Sequence, residues 1–96
     1  MLFALLCTDK PNSFDLRAKV RPDHVAHLNS LGSTLKFAGP FLDDEGNANG
    51  SLVVVEAESR AAAEAIAAAD PYSKAGLFSS VEIKGWRWTL KNTDAA

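Results

Sequence analysis

The segment RPDHVAHLNSLG, Arg21 to Gly32, puts an imidazole where an amphipathic helix would put a leucine. At about 100° per residue, Leu28 and Leu31 define the inward direction of this helix, and His24 takes a bearing between them. His27 falls toward the flank, about 40° beyond Leu31, and reads as solvated. An inward histidine has two explanations. It is a core residue whose ring nitrogens bond a carbonyl or hydroxyl, or a titratable group in a cleft between helix and sheet, exchanging protons near neutral pH.

Asp70 is the second unexpected residue. It ends the alanine-rich RAAAEAIAAAD, where the helix macrodipole disfavours an anion by about 0.3–1 kcal/mol if exposed. Asp70-Pro71 accounts for it as a cap followed by proline at the first helical position, opening the turn PYSKAG. A second role is compatible with capping. A carboxylate that accepts an imidazole N–H fixes the ring's tautomer and raises its basicity, the base-and-orienter arrangement of acid–base catalysis. The sequence alone does not bring Asp70 to His24.

Other residues offer less. Arg17 and Arg21 share one helix face and present either a fork for a carboxylate or phenolate or a solvated surface. Ser51 and Tyr72 are candidate hydrogen-bonding groups for a substrate. Cys7 lies inside an apolar run and reads as a small core residue rather than a nucleophile. His24 and His27 without further ligands make a poor metal site, and none is expected. Gly46 and Gly50 flank a hairpin loop with no helix start behind them, so they do not cradle phosphate. The expected site therefore needs no cofactor.

These residues must be positioned by six elements. LFALLC (Leu2–Cys7) reads as a strand, and the turn TDKPN follows it. The first helix has Pro22 in a first turn and Gly32 at its stop, with SFDLRAKV as an additional helical turn that Ser13 can cap. STLKFAGPF is a second strand, and LDDEGNANG is a turn-rich link to a third, SLVVVEAE. Ser59 caps the alanine-rich helix and Pro71 blocks its continuation. SSVEIKGWRWTL is the last strand. There Val81 and Ile83 alternate in one phase and Trp86, Trp88 and Leu90 in the other. A β-bulge at Gly85 would keep all of them on one apolar face.

The order β-α-β-β-α-β predicts an α+β, ferredoxin-like single domain over residues 1–90 and a polar tail over 91–96. A chain of 96 residues buries roughly 60–65% of the surface its unfolded form exposes, enough for one core. LFALLC and LVVV are apolar at both parities, so both sheet faces need cover. Two helices cover one face; a second copy is the economical cover for the other, which predicts a homodimer. At 47% hydrophobic and 23% charged, with a net charge of −2, the chain reads as globular, with no basic footprint for nucleic acid or anionic membrane. A single cysteine precludes an internal disulfide and suits a reducing compartment. MLFALLC lacks the basic start and cleavage site of a secretory signal, and no apolar run reaches the roughly 18 residues of a membrane span. A cytoplasmic location is expected.

Over nearly its whole length the chain resembles the YciI-like (YCII-related) family. The resemblance rests on RPDHVAHL, FAGP, GSLVVVEAES and ADPYSKAGLF, of which the last is the most specific. It implies a ferredoxin-like domain that forms an α/β-barrel dimer and is related to muconolactone-isomerase-like proteins. The family's characteristic histidine and aspartate match His24 and Asp70, which implies an enzymatic site. Some members are dehydrochlorinases of chlorinated hydroquinones, and most have no assigned substrate. Two function classes follow. One is a small cofactor-free enzyme transferring protons on a compact anionic or phenolic substrate, by isomerisation, lactone opening or halide elimination. The other is a non-catalytic binding or accessory dimer in which the same cleft holds a small molecule.

Overall fold

The computed structural model describes residues 1–91. Along the chain it has β1 (Leu2–Asp9), α1 (Phe14–Ser30), β2 (Leu35–Leu42), β3 (Ala48–Glu56), α2 (Arg60–Ala69), α3 (Pro71–Lys74) and β4 (Phe78–Trp86). The four strands form one antiparallel sheet in the order β2-β3-β1-β4. This is the expected order of elements, with α3 added where the sequence suggested only a turn. Of the polar tail expected over 91–96, residues 92–96 lie outside the described residues.

The alternation of β1 sets the layers. Phe3, Leu5 and Cys7 point to one side, where they meet Val53 and Val55 of β3, Leu28 of α1 and Ala63 and Ala67 of α2. Both long helices therefore lie on this face, and the alanines of α2 let it approach closely. The other parity is also buried: Ala4 pairs with Val54, which is only 1% exposed. Phe37 is paired with Val54, and Trp86, paired with Leu2, shares that face. Phe37, Trp86 and Trp88 pack edge-on or tilted, with ring centroids 4.9–5.6 Å apart. The chain thus begins to cover its second face with its own aromatic residues.

Four local expectations change. β4 keeps a regular register with β1 from Ser80 to Trp86, so there is no bulge at Gly85; the irregularity falls at Ser79, opposite the Thr8–Asp9 step. The tryptophans need no re-aiming, because the face away from the helices has its own apolar cover. α1 starts at Phe14, so Pro22 lies inside it rather than in its first turn. Proline removes one backbone hydrogen bond there, at a cost of about 3 kcal/mol that the buried stripe of Arg17, His24 and Leu28 must outweigh. Ser13 precedes α1, but its hydroxyl donates to the Pro11 carbonyl and does not cap the helix. Gly50 lies within β3 and only Gly46, at φ 86°, turns the hairpin, where the Asp43 carboxylate accepts from the Glu45 and Asn47 amides. Ser59 does cap α2, accepting from the Ala62 amide at 3.2 Å. No helix among the described residues is long and apolar enough to cross a membrane.

Candidate active site

The inward stripe of α1 holds Arg17 and His24 where a structural helix would have aliphatic residues, and the fold gives each a carboxylate. Asp70 sits at the junction of α2 and α3, brought against α1 by the packing of α3. Its carboxylate does two things. Oδ1 accepts from the Tyr72 amide at 2.9 Å, capping α3, and both oxygens lie 2.9 Å from His24 Nδ1. An ionised carboxylate only accepts, so Nδ1 carries the hydrogen and donates to it. Nε2 is then the nitrogen with the free lone pair. Capping and orientation are thus combined in one side chain.

Tyr72 is buried beside this pair. Its ring stacks on the His24 imidazole at 3.9 Å between centroids and 15° between planes. The Arg17 guanidinium carbon lies 4.8 Å from the centre of the same ring. Burial raises the Tyr72 phenol above its ordinary value, against the opposing pull of Arg17 and Arg21 and with a smaller push from Asp70 and Asp9. The phenol therefore stays protonated at neutral pH, able to donate.

Arg17 is the best-held charged side chain of the site. Its Nη1 donates to both carboxylate oxygens of Asp9, at 3.1 and 2.9 Å, and Nη2 donates to Ser51 Oγ at 2.9 Å. Asp9 ends β1 and Ser51 lies in β3, so this network ties α1 to the sheet. Asp9 escaped the sequence reading because TDKPN looks like a solvated turn; an inward arginine lacking a partner was the one signal that a buried acid must exist.

Around these groups lies a cleft of about 430 Å³, within the roughly 300–1,000 Å³ of small-molecule sites. Arg17, Arg21, His24, Ser51 and Tyr72 line it, with Pro40 of β2 and Val53 of β3 among its apolar walls. The structure therefore brings five of the expected site residues to one cavity, with Asp70 behind His24. Cys7 is buried in the core, and its thiol is pushed up to about 12 by burial, then by Asp70 and Asp9, against the pull of Arg17. It is not an activated nucleophile. His27 is half-buried with Nε2 shielded and unpartnered among the described residues, not solvated as its bearing suggested. No group of three or more His, Cys, Asp or Glu side chains among the described residues gathers to hold a metal ion.

Comparison with known proteins gives the family of the chain. The chain is 32% identical to the 5-chloro-2-hydroxyhydroquinone dehydrochlorinase TftG of Burkholderia phenoliruptrix, solved in complex with 2,5-dihydroxybenzoquinone; the TM-score is 0.83, covering 91% of this chain and 94% of that one. An antibiotic biosynthesis monooxygenase shares the fold at 14% identity and a TM-score of 0.54, covering 91% of this chain and 99% of that one. Protein YciI of Escherichia coli O6:H1 is 40% identical over 95 residues, 91% of this chain and 97% of that protein. The family model described as the YCII-related domain matches residues 1–87, which hold every element and every site residue above, and the chain belongs to that family.

Proposed function

We propose that this chain is a small enzyme that moves protons on a compact hydroxylated ring or enol, with His24 as the acid–base group and Asp70 as its orienter. The observation that carries this reading is the His24 Nδ1 contact of 2.9 Å with both Asp70 oxygens, at the wall of a cleft. With Nδ1 held as a donor, Nε2 takes a proton from a ring hydroxyl and hands it to a ring carbon, giving the keto tautomer and freeing its lone pair again. Where that carbon bears a halide, loss of a second hydroxyl proton to Nε2 expels the halide. The sum is loss of hydrogen halide, with no change in redox balance and no cofactor required. The likeness to a dehydrochlorinase solved with a dihydroxyquinone supports this chemistry and this shape of substrate. A homodimer through the sheet face away from the helices, in a reducing compartment such as the cytoplasm, completes the proposal.

The test is halide release and quinone absorbance on incubation with 5-chloro-2-hydroxyhydroquinone, the compound that TftG is named for. His24→Asn keeps polarity and approximate size and is expected to fold while losing about 100-fold or more in turnover. Asp70→Asn keeps an acceptor for the Tyr72 amide and is expected to lose less, since it disturbs orientation and leaves the base in place. Full turnover in folded His24→Asn removes the histidine from the mechanism. Ligand affinity without any turnover, changing in parallel in both variants, favours a binding module.

A further inference from the structure

We infer that the cleft selects a planar ring carrying one negative charge and that Arg21 alone reads that charge, Arg17 being withdrawn from ligand binding by Asp9. This deepens the proton-transfer reading and rests on it for placing the ring beside His24. Arg17 and Asp9 expose only 10% and 5% of their side chains, and Nη1 spans both carboxylate oxygens. With Nη2 committed to Ser51, the pair is a neutral, hydrogen-bonded unit, and turning Arg17 toward a ligand would strand a buried carboxylate. Arg21 stands one helical turn further along α1, lines the same cleft, is exposed, and has no hydrogen bond or ion pair among the described residues. Among the described residues no carboxylate lines the cleft, since Asp9 and Asp70 lie behind Arg17 and His24.

Charge balance then favours a monoanion. An incoming ring with one negative charge meets one uncompensated guanidinium. A second negative charge finds no second free cation among the described residues of the cleft and faces the field of Asp70 behind the imidazole. That second cation appears only when His24 accepts a proton, as the second charge develops on the ring.

The experiment is calorimetric titration with benzoate, with benzamide as its neutral counterpart of similar shape, and with phthalate as the dianion. The parent protein is expected to prefer benzoate to benzamide and to gain nothing from the second charge of phthalate, the preference shrinking with added salt. Arg21→Gln is expected to weaken benzoate binding about tenfold and leave benzamide unchanged, with Arg21→Lys restoring part of the loss. A parent without the preference overturns the inference; Arg21→Gln that retains it also overturns it and returns Arg17 as the charge reader. Binding is read apart from turnover. An inactive protein that prefers benzoate through Arg21 sinks only the catalytic reading, and an active one indifferent to Arg21→Gln sinks only this inference.

Discussion

Cys7 records the electrostatic cost of the two carboxylates that organise the site. Asp70 and Asp9 hold His24 and Arg17, and both also push the neighbouring thiol upward, adding to the effect of burial. Its pKa rises from 9.0 to about 12, so the folded state favours the neutral thiol. That contribution to stability is whole below 9.0 and is lost as pH climbs through about 12. Iodoacetamide is accordingly expected to label native Cys7 far more slowly than the unfolded chain at pH 8; equal rates would show an open thiol. At this same scale the candidate site was half legible. The bearing of His24 followed from helical spacing and the capping role of Asp70 from its place between a helix and a proline, whereas their pairing was implied only by the family resemblance. Asp9 was not legible. Its partner Arg17 lies across a turn, and only the docking of α1 on the sheet turns two polar residues into one buried pair.

Two glycines show how closely the elements pass. A Cβ built on Gly50 in β3 would lie 2.5 Å from the Cys7 carbonyl oxygen, which belongs to the backbone of β1 and can yield only if the strands part. Gly50→Ala is expected to cost about 1–3 kcal/mol, seen as a lower denaturant midpoint with an unchanged slope. A Cβ on Gly85 would meet only the end of the Met1 side chain, at 2.6 Å, which can swing aside. Gly85→Ala is expected to cost little, and an equal cost at both positions would discredit this reading. Element order was readable throughout because period-2 and period-3.6 patterns alternate cleanly and Ser59, Pro71 and Gly32 mark ends for local reasons. Gly32 adopts φ 57° immediately past α1, as a helix stop should. Pro22 misled because the rule that puts proline in first turns is local, whereas α1 is stabilised through its buried stripe along its full length. The apparent phase slip at Gly85 came from assuming one apolar face, when β4 sends Ile83 to the helices and Trp86 to the opposite side.

At the scale of the molecule, that second face motivates the proposed homodimer. Val54 and Ala4 are already covered, but Trp86 and Trp88 remain 37% exposed and Leu2, Leu6 and Leu52 only half-buried. Near the edge strand the same face turns polar, with Glu82 and Lys84 exposed and 3.7 Å apart. An apolar centre with a charged rim is the composition of a protein interface, and a sheet face packs well on its own copy. The single chain offers too few aromatic residues to close this face without help. Sedimentation at micromolar concentration is therefore expected to give a homodimer, with an interface burying about 2,000 Å² or more in total. Trp86→Lys sets a buried charge against its symmetry mate and is expected to yield monomers. The tryptophans lie on the face opposite the helices and the His24 cleft, so such a monomer should keep its helical signal and its affinity for benzoate. A well-folded monomer in the parent protein would refute the pairing of sheets and leave the aromatic trio as cover for one chain alone.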